Sequence, residues 1–137
     1  MGRALGIDFG DKRVGLALSD RSNLIASPYR TLQNFSENDL ISEIKKIVSK
    51  KEIKIFVVGL PLNMKGKDSL QTKKVRMFKR LLSKLGLPIF YEDERFSSII
   101  AKNSLVLQNV KTGHKKSEID KTAAAIILQQ YLDKNSN

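Results

Sequence analysis

Ala4-Leu5-Gly6-Ile7-Asp8-Phe9-Gly10-Asp11-Lys12-Arg13-Val14-Gly15-Leu16-Ala17 joins two apolar runs through a charged, glycine-flanked turn, the pattern of a β-hairpin. One carboxylate, Asp8, stands near the tip of the first strand. A carboxylate in a half-buried strand is costly unless a cation or hydrogen-bond donors compensate it, so Asp8 calls for a partner, and a metal ion is one candidate.

Outward from the hairpin, a third extended segment over about 24–33 contains Pro28, which suits an edge strand or a bulge. Ser36 then caps a helix over about 37–50, with Leu40, Ile41, Ile44, Ile47 and Val48 on one stripe. The β-branched run Ile53 to Leu60, stopped by Gly59 and Pro61, reads as a strand buried on both faces of a parallel sheet. A second helix is expected over about 69–85, stopped by Gly86 and Pro88, and a short strand over 89–91 runs into Glu92-Asp93-Glu94-Arg95. A third helix is expected over about 98–109 behind Ser97, a basic loop over 111–116, and a last helix from Ser117 to about Asp133. The order β-β-β-α-β-α-β-α-α implies an α/β fold. Its mixed five-stranded sheet would have three antiparallel strands followed by parallel ones, with helices on both faces.

The chain of 137 residues is long enough for one well-buried core, and residues 1–137 are expected to form a single domain. It has no cysteine, no room for a signal peptide before the first strand and no apolar run of membrane-spanning length, so a cytoplasmic protein without a membrane partner is expected. The net charge of +11 is localised: residues 45–84 hold 13 Lys and Arg against Glu52 and Asp68, while the rest balances at 12 against 12. A face that meets phosphates would use such a concentration, since each neutralised phosphate releases counterions. A solvated helix surface would look the same.

Ligands in such sheets gather beyond the carboxyl ends of the parallel strands. Asp8 and Glu94 fall near such ends, and Asp120 lies in the first turn of the last helix, on the stripe of Ala124, Ile127 and Tyr131. Three acids from distant elements meeting there would suit Mg²⁺ or Mn²⁺, which take oxygen ligands. Plainer readings stand beside this one: Asp120 as a charge favoured at a helix N-terminus, Glu94 as the partner of Arg95, Asp11 as a turn former and His114 as a loop residue.

At these residues the chain resembles the YqgF family. The blocks are Gly6-Ile7-Asp8-Phe9-Gly10 with Lys12-Arg13-Val14-Gly15; Val58-Gly59-Leu60-Pro61 with Asn63 and Gly66; Asp93-Glu94-Arg95-Phe96-Ser97-Ser98; and Ile119-Asp120 with Ala123-Ala124 and Ile127-Leu128. That family, also called RuvX, comprises pre-16S ribosomal RNA nucleases related to the RuvC Holliday junction resolvases. The resemblance implies a ribonuclease H-like fold and hydrolysis of phosphodiester bonds with Mg²⁺ or Mn²⁺ in 5′-end processing of precursor 16S rRNA. RNA, within a ribosomal particle or not, would be the partner, with branched DNA as the alternative, and the protein would be a monomer or homodimer. It also implies that Asp8, Glu94 and Asp120 are the catalytic and metal-holding triad. Nucleic-acid contacts are expected at Lys12, Arg13, Asn63, Lys65, Lys67, Arg95, Lys115 and Lys116. Ser117 stands where the resolvases carry a further acid or His, which leaves a second metal position less supported than the first. Two readings of other kinds remain: an RNA-binding ribosome-assembly factor without catalysis, and an actin-like or sugar-kinase phosphate loop, which would need a second domain and a second glycine-rich loop.

Overall fold

The computed structural model describes residues 2–33, 35–95 and 115–135, without the side chains of 115–117. The helix expected over 98–109, His114 and most of the basic loop lie outside these residues. Five strands, β1 (Arg3–Phe9), β2 (Arg13–Ser19), β3 (Ala26–Gln33), β4 (Ile53–Leu60) and β5 (Ile89–Asp93), form one sheet in the order β3-β2-β1-β4-β5. β1 pairs antiparallel with β2 and parallel with β4; β2–β3 is antiparallel and β4–β5 parallel, the mixed sheet the sequence implies. β3 is an edge strand, and its ladder slips between Leu16 and Ala17 where Pro28 removes a donor.

Helices α1 (Glu37–Lys51) and α2 (Leu70–Leu82) cover one face of the sheet, and α3 (Lys115–Asn135) covers the other. Ser36 and Ser69 cap α1 and α2 with reciprocal capping boxes. The second helix stops at Leu82, then tightens into a 3₁₀ turn over Ser83–Leu85 before Gly86 at φ 80°. Strand β3 begins at Ala26 rather than 24, because the Asp20 carboxylate accepts from the backbone N–H groups of Leu24 and Ile25 and holds them in a turn. The last helix starts at Lys115, so Lys115 and Lys116 belong to its first turn and not to a loop; lysine sits well in a helix, and Ser117 is no cap.

Alternation along the strands sorts the two cores. Leu5, Ile7, Val14, Leu16, Phe56 and Val58 point to α1 and α2, where Leu40, Ile44, Ile47, Val75, Phe78 and Leu82 meet them. The opposite face, apart from Val57 and Ile55, is built of small residues. Ala4, Gly6, Gly15, Ala17 and Gly59 lie under α3, which lays Ala124, Ile127 and Leu128 on them. A Cβ on Gly6 would fall 2.8 Å from the Leu128 Cβ, and one on Gly15 would strike the Asp120 carbonyl. The close approach of α3 therefore depends on these glycines.

Candidate active site

Asp8 is the penultimate residue of β1 and pairs with Gly15 of β2. It shares the α3 face with Gly6, two residues before it. One step beyond the Ile7–Val58 pair, β4 places Gly59 beside it. Glu94 follows β5, its N–H donating to the Leu60 carbonyl at 3.2 Å, and its Oε2 fills the space above Gly59 that any side chain would occupy. From there Glu94 reaches a hydrogen bond with the Asp8 carboxyl. Burial, then the nearby Asp8 charge, push the Glu94 carboxyl up to about 8, with Asp93 adding to the rise.

Asp120 arrives from the other side, its backbone carbonyl lying against Gly15, the pairing partner of Asp8. Its carboxylate accepts from Arg13 Nε at 2.6 Å, with both side chains largely covered. The three acids thus border one edge of the sheet, and Asp8 and Glu94 touch. Among the described residues no group of three acidic or histidine side chains stands ready to hold one ion, since Asp120 is turned onto Arg13. The donor set nevertheless fits a divalent cation: the two crowded carboxyl groups of Asp8 and Glu94 offer the oxygen ligands such an ion takes.

The run Glu92-Asp93-Glu94 gives three acids three different surroundings. Glu92 is buried, 5% exposed, and meets Lys134 at 2.6 Å. Asp93 accepts from both the backbone N–H and the Nε of Arg95, at 3.0 and 2.8 Å. Glu94 is left for Asp8. The pairing of Glu94 with Arg95 weighed from the sequence does not form; the neighbouring carboxylate takes that guanidinium.

The expected nucleic-acid contacts distribute around this edge unevenly. Lys12 is exposed in the β1–β2 turn, and Lys65 and Lys67 are exposed in the loop after β4. Asn63 holds that loop together, its Oδ1 accepting from the N–H groups of Lys65 and Lys67 at 2.9 and 3.0 Å, while its carbonyl accepts from Gly66 at φ 77°. The Arg95 guanidinium lies beside Gly66, so the loop and Arg95 form one basic rim. Asp11, read as a turn former, also meets Lys74 at 2.8 Å. Sequence reasoning took Gly59 as part of the stop of its strand, whereas it lies inside β4, and quoted Gly15 only in a family block. Their signal was a glycine inside each strand pattern, the mark of a close approach.

Among the described residues no helix is long and apolar enough to cross a membrane. Comparison with known proteins gives a consistent result. The family described as "RuvX: Holliday junction resolvase" matches residues 2–134. A protein of Trichormus variabilis described as "Putative pre-16S rRNA nuclease" is 43% identical over 131 residues, 95% of this chain and 87% of its own length. One of the same description from Dictyoglomus thermophilum is 37% identical over 135 residues, 98% of this chain and 97% of its own. Among solved structures, Thermus thermophilus RuvC in complex with a Holliday junction superposes with a TM-score of 0.60 at 12% identity, covering 99% of this chain and 98% of that one. The Fowlpox virus resolvase with Holliday junction DNA gives 0.60 at 8% identity, covering 98% and 99%. These two share the fold, that of the RuvC-type resolvases. With the family matched across residues 2–134 and full-length relatives at about two-fifths identity, the chain belongs to the RuvX (YqgF) family.

Proposed function

We propose that the protein is a divalent-metal-dependent nuclease that hydrolyses phosphodiester bonds in the 5′ region of precursor 16S rRNA in the cytoplasm. The observation that carries this reading is the half-buried Asp8–Glu94 contact at the carboxyl end of the parallel strands, with Asp120 one strand away. Asp8 and Glu94 would hold Mg²⁺ or Mn²⁺, and Asp120 would join them on exchanging its Arg13 contact. When bound, the ion would act as a Lewis acid at the phosphate and lower the pKa of the attacking water.

The chain's own groups supply the rest. Arg13, already at the site, offers a planar fork to a phosphate, and Arg95 and Lys12 extend the cationic rim. Lys65 and Lys67 lie on the loop that Asn63 shapes, a rigid presentation of two charges to a polyanion. Glu94, whose carboxyl is pushed up to about 8, holds a proton near neutral pH in the metal-free protein. The names of the relatives favour RNA as substrate.

Asp8→Asn is expected to lower Mn²⁺-dependent cleavage of labelled precursor rRNA about a thousandfold or more while leaving salt-sensitive RNA binding in place. Cleavage retained by Asp8→Asn defeats the assignment. Cleavage of neither RNA nor junction DNA by the wild type, with RNA binding intact, would favour an assembly factor without catalysis. Preference for a four-way junction would favour the resolvase reading, which calls for two active sites and so a dimer.

A further inference from the structure

On the opposite face of the sheet from the acidic pair, a groove opens between α1, α2 and the end of β1. Its volume is about 500 Å³, within the usual range for small-ligand sites. Its apolar lining includes Phe9, Phe35, Met77, Phe78 and Leu81, with Phe9 and Phe78 stacked at 4.5 Å. Lys74 and Arg80 stand at its rim with Asp11 and Glu37. Asp11 is already matched by Lys74, and Glu37 sits in the first turn of α1, where a negative charge is favoured.

Two features tie this groove to the candidate site. Successive strand residues point to opposite faces, so Asp8 addresses the acidic pair and Phe9 the groove across a single peptide. A second, smaller cavity, lined by Asp11, Lys12, Arg13, Gln33 and Phe35, shares Asp11 and Phe35 with the groove and Arg13 with Asp120. The path from Asp120 to the groove over the β1–β2 turn is therefore continuous, and it gains the charges of Lys12 and Arg13 along the way. A strand whose backbone follows Arg13 and Lys12 has an apolar, ring-lined hollow beside it.

Resting on the nuclease reading, we infer that the groove lined by Phe9, Phe35 and Met77 is a subsite for an unpaired nucleobase of the substrate strand, adjacent to the phosphate that is cut. The arrangement selects single-stranded over fully paired substrate, because only an unpaired base can enter the groove. Ring and methionine surfaces accept any base face, so the subsite reads strandedness more than sequence.

Methyl-labelled methionine reports on it directly, since the chain has only 3 methionines and the Met77 side chain is 63% exposed. The Met77 signal, assigned with Met77→Leu, is followed in metal-free protein during titration with oligoadenylate and with an abasic strand of equal length. End-label anisotropy marks saturation. Oligoadenylate is expected to move the Met77 methyl upfield, and the abasic strand to leave it in place. Met77→Ser is expected to weaken oligoadenylate binding about fivefold and abasic binding not at all. A silent Met77 at saturation, an equal shift with the abasic strand, or no saturable binding overturns the inference. So does a shift that follows protein concentration alone, which would place a second copy of the chain in the groove. Retained Mn²⁺-dependent cleavage with a silent Met77 sinks the subsite only; a responsive Met77 without cleavage sinks the nuclease reading only.

Discussion

The two faces of the sheet are built to opposite rules. Under α1 and α2 lie Leu5, Ile7, Leu16, Phe56 and Val58, large side chains that set the helices off at ordinary distance and fill the space between. Under α3 lie Ala4, Gly6, Gly15, Ala17 and Gly59, so little side-chain volume that the helix backbone rests against the strands. The thick face buries the larger part of the apolar surface. The thin face brings Asp120 down to Gly15 and leaves room over Gly59 for Glu94. Stability and placement of the acids are thus largely assigned to different faces.

The division can be broken from either side. Phe56→Ala, on the thick face, is expected to cost about 3–5 kcal/mol of stability, seen as a lower denaturation midpoint, with cleavage per folded molecule unchanged. A matching loss of specific activity would show that the faces are not independent. Gly15→Ala, on the thin face, drives a methyl group toward the Asp120 carbonyl. The expected cost is smaller, about 1–3 kcal/mol, but cleavage per folded molecule should fall about a hundredfold as the first turn of α3 is displaced. Unchanged cleavage would mean that Asp120 does not need its present seat.

A third expectation concerns pH. Glu94 has its folded-state pKa raised from 4.5 to about 8, so between those values the folded protein binds more protons than the unfolded chain. This contribution is full below about 4.5 and is lost as pH rises through about 8. The melting temperature of metal-free protein should accordingly fall with rising pH across that window, and Glu94→Gln should flatten the profile. Under the metal reading, Mn²⁺ should restore stability most at the alkaline end. A flat wild-type profile would show that Glu94 is not held against Asp8.

Much of this architecture was legible because local chemistry and global fold agree. Ser36 announces the first helix by capping, Pro28 marks an edge strand, and the apolar run of β4 carries the signature of a doubly covered strand. Asp8 drew notice for the same reason that it is costly, a charge where the pattern asks for an apolar or small residue. What could not be read was contact between remote elements. Nothing in the sequence tells that Arg13 will choose Asp120, or that Arg95 will choose Asp93 and so leave Glu94 to a carboxyl partner. Nor does the sequence tell that the Asn63 side chain closes its own loop through two backbone donors. Tyr91 lies beneath the cationic heads of Arg76 and Lys79, at 5.5 and 5.0 Å from its ring centre. The aromatic groove gave no signal, because Phe9, Phe35 and Met77 come from three separate elements.

The thin face has one more consequence, and it concerns timing. Its described cover is α3, residues 115–135, the last part of the described chain to leave a ribosome. Until that helix emerges, Gly15 lacks the Asp120 backbone that rests on it. A half-made chain would carry Asp8 and Glu94 but not Asp120, so under the proposed reading the three acids come together only once α3 has been made.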